Sequence, residues 1–445
     1  MRRTVLKLLA AFLGLCLAAS AFAIDVPLKY QKHPAESEDF YPSGSISLDE
    51  MTEPPEGEWK FPSLVSEYPI YAFVKIGDKQ KLCLLDHQNA SDKLYNRFYF
   101  DSNGNRDLTD DPFVEGTVML QQNNQSYTVD FPGVDTKIEV NGKSVPYSFR
   151  PWVRVRLAQL ERRGFTKESV RRYVAASLRL NCSYTGEFQI KGQKYRVIVS
   201  DSNCNGRFND RSSLLEASAR AEVRRRPILS RGDGFIITTD KKIDSTDLQL
   251  CGDWLVVEDM LYEVNIDTVK GKMTLTPMTD NLGSLKLAMN TERISLYTED
   301  GKHSVLMFRP GKKIKVPAGT YRLYKYQALK KDEQGDLWRL CAWATTESPF
   351  VAVDRKGEVT LEFGEPYLAI VNVIQPRVGR SRALIAFEIE GKAKESLTDL
   401  SHISGDKTLI PLSEEEDLGH RPKEPTYKIV KADGEVVTQG SFEYG

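Results

Sequence analysis

A chain of 445 residues, 40% hydrophobic and 28% charged, can bury cores on the scale of two or three domains, which excludes a disordered tail or linker. Its formal charge of −1 is too balanced to point to nucleic acid or to an anionic membrane surface. No apolar run reaches the roughly 20 residues a membrane-spanning helix needs, so no transmembrane segment is expected.

The N-terminus has the order of a cleavable secretory signal. Arg2, Arg3 and Lys7 precede the apolar run Leu8 to Leu17, and Ala21-Phe22-Ala23 forms an A-x-A cleavage site. A mature chain from Ile24, secreted or periplasmic, is expected. Leu15 stands before Cys16 where lipid attachment wants a small residue, so ordinary secretion is favoured. Cleavage removes three basic and no acidic residues and takes the formal charge to about −4. It also leaves Cys83, Cys182, Cys204, Cys251 and Cys341, an odd and scattered set without a C-x-x-C pair. These read as buried thiols, with one Cys182–Cys204 bridge as the alternative, and not as a disulfide framework, zinc site or redox motif.

Residues 24–68 are rich in Pro, Ser and Glu and read as an extended lead-in packed at a few aromatics such as Trp59. From 69 to 278, period-two runs such as YAFVKI, KLCLL, RFYF and YTVDF predict antiparallel strands, with hairpin tips at Ile76-Gly77-Asp78 and Val140-Asn141-Gly142. One helix is expected over Thr166 to Leu178, with Thr166 as cap and Val170, Val174 and Leu178 at i, i+4 and i+8. Leu214 to Val223 is a second candidate. Short strands at spacings of about ten residues then predict β-sandwich modules over 279–364 and 365–445, immunoglobulin-like or prealbumin-like by analogy. The fold class is therefore mainly β, with an α+β first domain.

Two stretches carry chemistry. Asp101 to Asp110 reads DSNGNRDLTD, and Asp201 to Asp210 reads DSNCNGRFND. Each follows a strand and a turn of the type G-D-K-Q-K or K-G-Q-K, which suggests an internal duplication with an insertion, DHQNASDKLYN, in the first copy. Side-chain oxygens stand at places one, three and five: Asp101, Asn103 and Asn105, then Asp201, Asn203 and Asn205. Leu108 and Phe208 take the eighth place as apolar anchors. A hard cation needs six to eight oxygens, and alternate residues of a tight loop can turn theirs inward.

These loops resemble the calcium loops of EF-hand, dockerin and thrombospondin type 3 repeats, above all helix-free variants in secreted bacterial proteins. The resemblance covers about ten residues per copy and implies a calcium ion, with a carbonyl from place seven (Asp107, Arg207), a side chain or water at place nine (Asn209 in the second) and an acid near place twelve. Pro112 and Ser212 occupy that last place, so closure falls to Asp110, Asp111 or Glu115, and to Asp210 or Glu216. Arg106 replaces the glycine of place six that Gly206 keeps. The bland alternative is an Asx-turn connection whose side chains bond their own backbone. Carboxylate counts rank the first loop (Asp101, Asp107, Asp110, Asp111) above the second, both in the roughly 0.1 to 1 mM range of extracellular modules.

Catalytic signals are thin. Asp86-His87 could be an acid–base or metal pair but reads more simply as a solvated loop, and Ser404-x-x-Lys407 lacks partner motifs. Arg231-Gly232-Asp233 is the adhesion tripeptide but reads more simply as a turn, and the run Arg224 to Arg226 with Arg220 and Arg231 could bind an anionic ligand but reads more simply as a solvated helix end. Trp59, Trp152 and Trp254 could contact polysaccharide, whereas Trp338 and Trp343 suit a core. The leading expectation is a secreted calcium-binding β protein, with calcium in a structural role and an envelope or extracellular partner, polysaccharide or protein. A calcium-dependent hydrolase and a surface adhesion or matrix protein are the alternatives.

Overall fold

Period-two alternation decides which side of each strand is buried, and strands formed this way dominate the computed structural model, which is mainly β. It describes residues 22–34, 40–42, 44–89, 94–120, 125–214, 232–374, 384–405 and 424–442, with single positions at 227, 230, 409 and 422. In the first half the strands are β1 (Ile24–Lys32), β2 (Ser45–Ser47), β3 (Ile70–Ile76), β4 (Lys79–Asp86), β5 (Arg97–Phe100), β6 (Phe113–Glu115), β7 (Thr117–Leu120), β8 (Tyr127–Asp130), β9 (Val134–Val140), β10 (Lys143–Val155), β11 (Val174–Leu180), β12 (Cys182–Ile190), β13 (Gln193–Ser200) and β14 (Gly234–Thr238).

β3 to β6 form a four-stranded sheet, and β2, β11, β10, β8 and β7 form a second that β9 joins through β10. A larger sheet runs from β14 through β13, β12 and β1 into the second half of the chain. β1 lies within the stretch read as a lead-in, yet it is central here, antiparallel to both β12 and Lys272–Pro277. The sheet continues where Trp254–Val257 pairs parallel with Ser304–Phe308. Three strands, Leu282–Leu287, Lys313–Pro317 and Glu358–Leu361, form a separate sheet. Their Leu285, Leu287, Ile314, Val316 and Leu361 share one buried core with Ile294, Leu296, Val305 and Met307 of the large sheet, a sandwich arrangement.

Two hairpin tips follow from backbone chemistry. Gly77 sits at φ 69°, and Asn141 and Gly142 at φ 52° and 70°, the left-handed pair a tight two-residue turn requires. The helix predicted over Thr166 to Leu178 is shorter. α1 (Leu157–Arg163) precedes it, and α2 (Lys167–Tyr173) starts where expected, with Ser169 N donating to Thr166 Oγ1 at 3.3 Å. From Val174 the chain is β11, paired with β10. A spacing of four serves a helix turn and two strand steps equally. Val174, Ala176, Leu178 and Leu180 are all buried on the strand period, and pairing with β10 selects it. The second helix candidate lies outside the described residues apart from Leu214.

All five described cysteines are free and buried. Trp338 and Trp343 are half-buried, and Trp338 donates to Asp332 Oδ2 at 2.8 Å.

Candidate metal loops

The first loop leaves β5 and the second leaves β13, each with its first aspartate buried at the strand end. The exits differ, because the insertion in the first copy adds β5 as a third strand against β4, whereas the second loop leaves its hairpin directly. From there the two backbones coincide in character. Places four and six are left-handed in both: Gly104 at φ 75° and Arg106 at 66°, Cys204 at 54° and Gly206 at 86°. Arg106 therefore holds the conformation of the glycine it replaces, at a cost of about 1–2 kcal/mol for a left-handed L-residue.

Hydrogen bonds repeat as well. Asn103 Oδ1 accepts from Asn105 N at 2.9 Å, and Asn203 Oδ1 from Asn205 N at 3.1 Å. Asn105 Oδ1 accepts from Asp107 N, and Asn205 Oδ1 from Arg207 N, both at 2.8 Å. These are Asx turns, common to the bland reading and the metal-loop reading. They also bring places three, five and ten together: Asn105 Nδ2 is 2.8 Å from Asp110 Oδ2, while Asn203 and Asn205 Nδ2 are 2.8 and 2.6 Å from Asp210 Oδ2.

Closure differs. In the first loop Asp111 Oδ1 accepts from Ser102 N at 3.2 Å, while its buried Oδ2 has no hydrogen-bond partner. In the second, that task falls to Asp233, whose Oδ1 accepts from Ser202 N at 3.0 Å and whose Oδ2 accepts from Asp210 N at 2.8 Å. Glu115 is engaged by Arg97 at 2.9 Å, and Asp107 by Lys60 at 2.7 Å. Arg207 is drawn to Asp78 at 3.0 Å, and Asn209 Nδ2 lies 3.4 Å from Ile266 O. Glu216 lies outside the described residues.

Charge separates the loops further. Asp201 is fully buried and accepts from Tyr147 Oη at 2.8 Å and Gly206 N at 2.6 Å. Burial pushes its carboxyl up to about 6, against the opposing pull of those donors. Asp233 is pushed up to about 9 by burial first and by the neighbouring charge of Asp201 second. Among the described residues no Lys, Arg or His forms an ion pair with Asp201, Asp210 or Asp233. Asp101, Asp110 and Asp111 of the first loop form no ion pair among the described residues either, but beside that loop lies the ammonium of Lys81, a residue only 4% exposed. It donates to Ser102 O and, at 3.4 Å, to Asp101 O.

The chain was compared with protein-family models, curated proteins and solved structures. It matches none of them.

Among the described residues no three His, Cys, Asp or Glu side chains are grouped to hold a metal ion. A cation in either loop would thus rest on two carboxylates plus amide and carbonyl oxygens. The residues of the second loop suit a hard dication: among the described residues Asp201 and Asp210 have no ion-pair partner, and Asn203, Asn205 and the Arg207 carbonyl could supply neutral oxygens. The first fits less well, because a buried ammonium already stands against its backbone. Carboxylate count favours the first loop, whereas the lysine set against its backbone favours the second.

Asp233 and Tyr147 left no local signal in the sequence, being 32 and 54 residues from Asp201. Lys81 did leave one, since it shares the inward phase of Cys83 and Leu85 on β4. Asp86 is spent as a staple, accepting from Val65 N at 2.8 Å and Ser66 N at 2.7 Å. His87 is buried against Tyr95 and 3.4 Å from Ser66 Oγ, so neither residue is the solvated loop pair expected. Trp59, Trp152 and Trp254 line neither of two described clefts of about 360 and 590 Å³. Arg220, Arg224 to Arg226, Arg231 and Lys407 lie outside the described residues.

Proposed function

We propose that this chain is a secreted or periplasmic β protein whose Asp-Asn loops take calcium in a structural role, the second loop foremost. The observation that carries the reading is that Asp201 and Asp210 flank two asparagine amides and, among the described residues, have no ion-pair partner. A bound dication would supply that missing charge and gather the surrounding oxygens. The chain's own residues do the rest. Tyr147 and Gly206 orient Asp201, Asp233 ties Ser202 to Asp210, and Phe208 anchors the loop between Tyr147 and Tyr184 at ring distances of 6.2 and 4.9 Å.

The loop's position supports a structural role. Asn205 O accepts from Gly77 N at 2.6 Å, and Ser202 O from Ser45 N at 3.1 Å. The loop thereby joins the β12–β13 hairpin to the β3–β4 tip and to β2, three different parts of the first half. Ordering it would tie these together, and a ligand that binds only the folded form adds stability by mass action. Titration calorimetry on the purified mature chain should show calcium heat in the roughly 0.1 to 1 mM range; silence up to several millimolar would end this reading. Terminal sequencing of exported protein should begin at Ile24, and an uncleaved terminus would remove the secretory part.

A further inference from the structure

The first loop raises a separate question, because a loop built to the same plan stands beside a buried lysine. Lys81 lies on β4, three positions from the hairpin tip, and its ammonium reaches the carbonyls of Asp101 and Ser102. A Cβ built on Gly104 would lie 3.9 Å from it, so the ammonium also sits against place four. Nearby, Asp111 has a buried Oδ2 without a hydrogen-bond partner. Burial lowers the Lys81 pKa, and the charges of Asp101 and Asp111 oppose that lowering. The second hairpin has no such group. Counting back from the loops through the pairs Cys83–Phe100 and Tyr184–Val199, Lys81 stands opposite Ser102 and the matching position opposite Ser202 is Asn181, a neutral side chain whose Nδ2 donates to Ser148 Oγ at 2.9 Å.

We infer that Lys81 is a tethered cation for the first loop, taking the electrostatic place that a metal ion would otherwise fill. Its ammonium offsets Asp101 and Asp111 from within the chain, so the first loop keeps its form without calcium and resists a dication brought close to a fixed positive charge. Calcium dependence is then confined to the second loop. That last point rests on the proposed calcium reading, whereas the role of Lys81 stands apart from it.

Equilibrium dialysis of the full mature chain with calcium tests both. The wild type should bind one calcium, lost in Asp210→Ala and kept in Asp110→Ala. Lys81→Met, or Lys81→Gln where the apolar variant does not fold, should bind a second, lost on adding Asp110→Ala, with affinity at that loop raised at least about tenfold, the equivalent of 1.4 kcal/mol. Two calcium ions of similar affinity on the wild type would overturn the role of Lys81 and leave the calcium reading standing. None on the wild type but one on the Lys81 variant would do the reverse. No calcium on either overturns both. Should both Lys81 variants fail to fold, the contrast between Asp110→Ala and Asp210→Ala in the wild-type background decides.

Discussion

The first and second loops follow the same path through the same left-handed positions, yet one is held at the surface and the other is set into the core. In the first, places three to six are exposed, and the loop is latched by Lys60, whose N and O bond Arg106 O and Leu108 N at 3.0 Å each. Leu108 anchors it in a small satellite cluster with Tyr71, Leu82, Leu84 and Tyr99. In the second, Cys204, Gly206 and Phe208 are buried, and Phe208 belongs to the main core of the first half. The lesson is that one local sequence plan yields two electrostatic situations. A lysine stands beside the first; in the second, buried Asp201 and half-buried Asp210 have no ion-pair partner among the described residues.

The comparison breaks hardest at the anchors. Phe208→Ala should cost about 3–5 kcal/mol in denaturant unfolding, as for a deleted core aromatic, and should unfold the first half as a unit. Leu108→Ala should fall at or below the lower end of the about 2–5 kcal/mol range for buried leucines, because its cluster is small; equal losses would show that the two loops are equally integral.

Metal dependence is the next sharpest contrast. At a hundredfold excess over its Kd, calcium should stabilise the wild type by about 2.7 kcal/mol, read as a rise in Tm over the chelated protein. Asp210→Ala should abolish that rise, while Asp110→Ala should alter it by no more than about 0.5 kcal/mol, the usual surface scatter.

The pH response should also separate metal-free from calcium-loaded protein. Asp201 and Asp233 are raised by folding, to about 6 and about 9, so the folded chain binds more protons than the unfolded one above the ordinary carboxyl range. Their contribution is complete at pH values below about 4 and is lost as pH rises through those two values. Metal-free protein should therefore lose stability from pH 5 towards pH 9, and calcium, favouring the ionised carboxylates, should flatten that decline. A metal-free profile that is level across this window would contradict the charge assignment. The smallest effect belongs to place six: Arg106→Gly should gain about 0.5 kcal/mol, relief of left-handed strain set against glycine's backbone entropy. The reverse change at Gly206 should be severe, since an added Cβ would lie 2.5 Å from Ile138 Cδ1 and 2.7 Å from Gly77 N.

Much of the local architecture was legible because it depends on near neighbours. Strand alternation, the tips at Gly77 and Asn141-Gly142, the Thr166 cap and the Asx turns of both loops are decided within a few residues. The end of α2 was not, because Val170, Val174 and Leu178 satisfy helix and strand spacing alike and only β10 breaks the tie. Nor was the central place of β1, whose partners lie 150 or more residues away.

By itself the sequence determined a mainly β chain, two matched Asp-Asn loops and their apolar anchors. Only the tertiary structure decided which loop has a lysine set against its backbone. Electrostatic energy depends on distance and burial, and the groups that set it reach the loops across space. Asp233 and Tyr147 arrive at Asp201 from other strands and loops, and Lys81 reaches Asp101 across the β4–β5 pairing.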